Sequence, residues 1–141
     1  SHLSPAGFWD VLEHSRHPVI ASHSNARGLH DHPRNLDDEQ IKALAARGGV
    51  IGINFAPQFL GPGARLETVL DHIDYIARLA GCDCIGLGSD YDGIAATPGG
   101  LEDVSRLPNI TRGLVARGYS DSDILKILGG NFARVFSQVI G

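Results

Sequence analysis

Val50-Ile51-Gly52-Ile53-Asn54-Phe55-Ala56 is a short, β-branched, almost continuously apolar run. A strand with one face in water alternates apolar and polar side chains, so a run without alternation suits a strand buried on both faces, as in a parallel sheet. Two similar runs flank it, Pro18-Val19-Ile20-Ala21-Ser22-His23-Ser24 upstream and Cys84-Ile85-Gly86-Leu87-Gly88-Ser89-Asp90 downstream. Helical patterns lie between them. Asp37 to Gly48 carries Ile41, Leu44 and Ala45 on one face, with Asp37 and Gln40 placed as a capping box and Gly48 as the stop. Glu67 to Ala80 repeats Val69, Leu70, Ile73, Ile76, Ala77 and Ala80 at helical spacing. Further upstream, Ser4 reads as an N-cap and Pro5 as a first turn, with Phe8 and Leu12 on one side. The strands recur every ~30–35 residues, the size of a βα unit.

After Asp90 the pattern changes. Thr97-Pro98-Gly99-Gly100 precedes only helical periodicities, at Asn109 to Arg117, Ser120 to Leu128 and Asn131 to Ile140, with Ser120 and Asn131 read as N-caps. The expected fold is α/β, with parallel strands followed by a helical C-terminal cover. Ser1-His2 reads as the end of a fourth strand. A small doubly wound sheet and half of a (β/α)8 barrel both fit this order. The chain contains no Met and opens where a strand runs into a helix. The chain therefore reads as cut from something longer, and the half-barrel alternative would explain the truncated start.

Composition narrows the function. With 43% apolar and 20% charged residues the chain has the make-up of a globular domain. A net charge of -4 with scattered Lys and Arg provides no basic field for nucleic acid. No apolar run approaches the ~20 residues of a membrane span, and no signal-peptide pattern opens the chain. Cys82 and Cys84, one residue apart on an expected strand, would point to opposite faces and read as small buried side chains rather than a disulfide. A cytoplasmic location is the expectation for these residues, with that of the whole protein open.

Parallel α/β folds place their sites at the carboxyl ends of the strands. The residues expected there are His2, His23, Asn54 and Asp90. Imidazoles and a carboxylate on neighbouring strand ends are the donor set of a metal hydrolase. Each has a plainer role available: a strand-end His can simply hydrogen-bond, and Asp90 can belong to the turn that Asp92-Gly93 suggests. On the sharper reading Asp90 is a catalytic carboxylate supported by Asp92, and the glycines before it let a substrate approach the backbone. Arg34, in the polar loop after His23, either reaches in to clamp a carboxylate or is a solvated surface cation. His30 and His32 read as part of a polar turn, and His14, His17 and His72 as surface residues of helices.

Several segments together resemble the membrane (renal) dipeptidase family of zinc metallopeptidases. They are Ser22-His23-Ser24, Arg34-Asn35, Gly86-Leu87-Gly88-Ser89-Asp90-Tyr91-Asp92-Gly93 and Gly100-Leu101-Glu102-Asp103-Val104. Asp71-His72-Ile73-Asp74 and Gly130-Asn131-Phe132 with Arg134-Val135-Phe136 add to them. The resemblance runs over essentially the whole chain and matches the family's C-terminal half, which implies that residues 1–141 are the C-terminal portion of a single (β/α)8 barrel domain whose N-terminal half is absent. His2 and His23 stand twenty-one positions apart, as do the family's two C-terminal zinc-ligand histidines. The resemblance implies that this pair holds one ion of a binuclear zinc site whose bridging hydroxide attacks the peptide bond of a dipeptide. It further implies that Arg34 pairs with the substrate carboxylate. Asp90 would lie at the substrate amino group and be a candidate for proton transfer to the leaving amine.

The family's remaining zinc ligands belong to the missing half of the barrel, so the fragment alone is expected to bind zinc weakly and to hydrolyse little. His30 stands where mammalian members have a disulfide cysteine, so a disulfide-bonded, secreted state is not carried over. The implied partners are a dipeptide and the N-terminal half of the barrel, with a homo-oligomer possible. Two alternatives stand beside this reading: another metal-dependent amide or ester hydrolase of the same superfamily, and a non-catalytic α/β ligand-binding module.

Overall fold

The computed structural model describes residues 1–141. In chain order the main elements are α1 (Pro5–His14), β1 (Ile20–Ala21), α2 (Asp38–Ala46), β2 (Val50–Ile53), α3 (Pro57–Leu60), α4 (Leu66–Ala80), β3 (Ile85–Leu87), α5 (Pro108–Ala116), α6 (Asp121–Leu125) and α7 (Asn131–Ile140). The three strands form one parallel sheet in the order β1-β2-β3, with Ile20 opposite Val50 and Ile51 opposite Ile85. Spatial order equals chain order, so there is no switch point of the doubly wound kind. The two crossover helices, α2 and α4, pack against each other. This is the arrangement of consecutive barrel units.

Local chemistry sets the helix ends. Ser4 accepts the N–H of Gly7, and Asp37 and Gln40 form a reciprocal capping box. Gly48 leaves α2 at a φ of 70°, a left-handed conformation that glycine adopts freely. Four-residue α3 and the short 3-10 turns carry no periodicity long enough to be read in advance.

Ile51, Ile53 and Ile85 join Leu44, Val69, Ile73 and Ile76 in the continuous core. The opposite face carries Val50, Gly52 and Gly86, and the Phe132 ring lies against Gly86 and Val50. Arg134 donates to the carbonyls of Gly48 and Asp83, each at 2.8 Å, just before β2 and β3. Helix α7 thus closes the amino-terminal end of the sheet and leaves the carboxyl end open.

Five expectations are corrected. Ser1-His2 forms no strand in the sheet of three, and Ser1 meets the chain after β1 through its hydroxyl, which accepts the His23 N–H. Cys82 and Cys84 lie on a 3-10 turn before β3 and not on a strand; both are free, and burial raises the Cys84 thiol to about 11. The helix expected over Ser120 to Leu128 ends at Leu125 and passes into a wide π-type turn, Lys126–Gly130. Asn131 is no N-cap. It is buried, and its amide donates to the carbonyls of Cys82 and Ile85 at 2.8 Å each. His72 is no surface residue but fully buried in α4. No helix is long and apolar enough to cross a membrane.

Candidate active site

The carboxyl end of the sheet gathers the residues on which the sequence reading centred. Beyond β1, the Ser24 N–H donates to the Gly52 carbonyl at 2.8 Å, which carries the chain straight past the sheet edge. His23 sits on this extension, and its own N–H donates to the Ser1 hydroxyl at 2.9 Å. The Ser24 hydroxyl also donates to Ser1 Oγ, at 3.2 Å. Ser1 thereby holds the segment of His2 against that of His23, a role that no periodicity or motif signals.

The two imidazoles meet with their Nε2 atoms 3.0 Å apart. The other ring nitrogen of His23, Nδ1, lies 2.9 Å from the Ser22 hydroxyl, which fixes the ring. Burial lowers the proton affinity of His23, the nearby Asp90 charge raises it, and His2 and Arg34 lower it again. The net shift is downward, so the ring is neutral at neutral pH. Two imidazole nitrogens at this separation either share one proton in a hydrogen bond or turn both lone pairs toward one cation.

Arg34 is delivered by the loop between Ala26 and Leu36, whose ends pair as a parallel bridge. Within the loop, buried Asn35 donates to the carbonyls of His30 and Phe59 at 2.9 and 2.8 Å. His32 accepts the Arg34 N–H at 3.1 Å and packs on the Phe59 ring. The guanidinium itself lies 5.2 Å from the centre of that ring, and its Nε donates to the Ser1 carbonyl at 3.2 Å. No carboxylate pairs with it, although eight ion pairs occur elsewhere. A planar cation beside an aromatic ring with its Nη groups unpaired is suited to a bidentate anion.

Asp90 follows β3 at a φ of 62°, the one non-glycine residue in the left-handed region. Such backbone strain concentrates at functional sites. Its carboxylate accepts from Asn54 Nδ2 at 3.2 Å and makes no ion pair. A side chain at Gly93 would collide with that carboxylate. The turn is braced by Tyr91, whose hydroxyl donates to the Asp103 carbonyl at 3.1 Å.

Other expectations near Asp90 are replaced. Asp92 is exposed and supports nothing. Gly86 and Gly88 do not make room for substrate: their missing side chains leave space for the Phe132 ring and the Ser22 carbonyl. An enclosed apolar cleft between α1, β1 and α2, lined by Leu3, Phe8, Leu12, Ile20, Leu36 and Leu44, lies beneath Ser1 and Arg34 and is separate from the imidazole pair. No group of three or more His, Cys, Asp or Glu side chains converges as a metal site.

The geometry has counterparts in known proteins. The family model described as membrane dipeptidase (peptidase family M19) matches residues 1–140. An uncharacterized protein of Klebsiella pneumoniae is 41% identical over 145 residues, covering 99% of this chain and 53% of that protein. An uncharacterized dipeptidase of Schizosaccharomyces pombe is 41% identical over 140 residues, covering 96% of this chain and 34% of the other. Among solved structures, a metallo peptidase from Rhodobacter sphaeroides liganded with a phosphinate mimic of the dipeptide L-Ala-D-Ala superposes with a TM-score of 0.91 at 35% identity. That match covers 98% of this chain and 41% of the peptidase. An amidohydrolase from Pseudomonas aeruginosa superposes with a TM-score of 0.84 at 29% identity, covering 92% of this chain and 48% of its own. The chain thus spans about a third to a half of the length of these relatives, and its parallel α/β architecture is that of part of a (β/α)8 metallo-hydrolase barrel.

Proposed function

Because this chain belongs to the membrane dipeptidase family, peptidase family M19, we propose that it supplies two histidines, an arginine and an aspartate to a zinc site that hydrolyses the peptide bond of dipeptides. The observation that carries this reading is the convergence of His2 and His23, with Nε2 atoms 3.0 Å apart. Two imidazole nitrogens at that separation fit two corners of a zinc coordination shell. They are two of the usual four donors. The remaining ligands would come from chain of the kind its longer relatives possess.

In that site His2 and His23 would hold the ion through Nε2, and the Ser22 hydroxyl on His23 Nδ1 would set the ring's orientation. Zinc supplies Lewis-acid polarisation of a carbonyl and a nucleophile available at neutral pH. Arg34, lying over the Phe59 ring, takes the terminal carboxylate of the dipeptide through its free Nη groups. Asp90 takes the amino end, and in this reading its carboxylate accepts a proton from the attacking water and delivers it to the leaving amine. Requiring both a free carboxylate and a free ammonium a short distance apart selects dipeptides over longer chains.

The test uses L-Ala-D-Ala as probe. The intact protein is expected to release alanine in a zinc-dependent manner, with Arg34→Met raising KM at least tenfold and Asp90→Asn lowering kcat/KM at least a hundredfold. The 141-residue chain alone should bind zinc weakly, lose that binding in His23→Ala, and show little turnover. Full turnover by the isolated chain, or zinc binding indifferent to both histidines, would overturn the assignment. Likeness to the amidohydrolase favours a second reading, cleavage of another amide; a panel of N-acylated amino acids and esters beside dipeptides separates the two.

A further inference from the structure

We infer that Asn54 is a positioning residue for Asp90: its side-chain amide is locked in one orientation by Asn25 and Ala56, so that Nδ2 aims the Asp90 carboxylate into the site. This rests on the reading of Asp90 as the group that meets the substrate's amino end.

Asn54 and Asn25 are both fully buried. The Asn25 side chain spans the backbone of Asn54, with Nδ2 donating to its carbonyl and Oδ1 accepting its N–H, each at 3.1 Å. That pair of bonds continues the order of β2 one residue past its end at Ile53. The Asn54 side-chain oxygen is committed as well, accepting the Ala56 N–H at 2.6 Å. A flipped amide would set an NH2 against that N–H and an oxygen against a carboxylate, two repulsive contacts at once. Only the observed orientation is satisfied, and it leaves Nδ2 facing Asp90 Oδ2 at 3.2 Å.

The target needs such a guide. Asp90 stands in a left-handed conformation on a short 3-10 turn, half-exposed, with no cation holding its carboxylate. The carboxylate fills the space that a side chain at Gly93 would take, a contact that gives it room but no hydrogen bond. The buried amide therefore provides the directed hydrogen bond that selects its rotamer. The bonds that Asn54 makes for the fold use its backbone and its Oδ1. The one remaining, from Nδ2, serves Asp90 alone.

Asn54→Asp separates the two roles, since it keeps the acceptor for Ala56 and replaces the donor by a repelling oxygen. In the intact protein with zinc and L-Ala-D-Ala, Asn54→Asp is expected to lower kcat/KM at least tenfold, chiefly through KM. Added to Asp90→Asn it should lower kcat/KM no further, because the two act as a unit. Activity within twofold of the parent, or losses that multiply in the double variant, overturns the inference.

If the parent hydrolyses no dipeptide, the functional reading fails, and positioning is decided on the 141-residue chain by NMR. The Asn54 side-chain amide protons should exchange slowly and shift in Asp90→Asn but not in Asp92→Asn. Fast exchange, or indifference to Asp90, overturns the inference without reference to activity. The same measurement decides the matter if Asn54→Asp does not fold.

Discussion

The backbone N–H of Ala26 donates to Nδ1 of His72 at 3.2 Å, joining the loop that carries Arg34 to helix α4 across 46 positions of chain. An imidazole nitrogen that accepts a hydrogen bond is unprotonated, so His72 is neutral with its proton on Nε2. Nε2 is buried without a well-formed hydrogen bond, although the Leu60 carbonyl lies near enough to favour a proton there. Burial dominates and lowers the His72 pKa from 6.5 to about 4.

The pH dependence follows from that depression. Between about 4 and 6.5 the unfolded chain binds a proton at this residue and the folded chain does not. Stability from His72 is therefore complete above 6.5 and is lost as pH falls toward 4, to a total of about 3 kcal/mol. Urea unfolding of the parent and of His72→Gln across this range should differ by that slope. Parallel curves would show that the ring is charged in the folded state.

Arg117 Nη1 lies 2.8 Å from Asp71 and 2.6 Å from Asp74, and the Tyr119 hydroxyl donates to the other oxygen of Asp74 at 2.7 Å. These partly buried bonds tie the end of α5 to α4. Arg117→Ala should cost about 2 kcal/mol and Tyr119→Phe about 1. Because both act on one carboxylate, chemical denaturation of the double variant should show a loss different from the sum.

Asn131→Ala leaves the carbonyls of Cys82 and Ile85 without their donor. The expected cost is about 2 to 4 kcal/mol, against about 1 for a helix cap. The size of the loss in urea unfolding distinguishes the two roles.

Gly88→Ala drives a methyl group into the Ser22 carbonyl, next to His23. It should cost more than about 2 kcal/mol and weaken zinc binding by the chain at least tenfold. Gly63→Ala meets only backbone strain, since its φ is 68° and nothing lies within 4 Å of the new carbon. It should cost about 1 kcal/mol and leave zinc binding unchanged. Equal effects of the two on zinc binding, measured by calorimetric titration, would separate Gly88 from the site.

The residues of this chain determined by themselves whatever depends on neighbours a few positions away. The parallel runs at Val50 and Cys84, the capping box of Asp37 and Gln40, and the apolar stripe of α4 all follow from periodicity and local hydrogen bonding. The strand-end location of His23, Asn54 and Asp90 follows as well, since each comes at or just after the end of an apolar stretch that reads as a parallel strand. Tertiary structure alone decided which polar side chains are buried and whom they meet. Asn54 reaches Asp90 across 36 positions, Asn131 reaches Ile85 across 46, and Ser1 meets His23 instead of joining a strand. Such pairings are set by how strands and helices converge in space, and a buried amide or imidazole takes whichever donor or acceptor the fold brings within 3 Å or so.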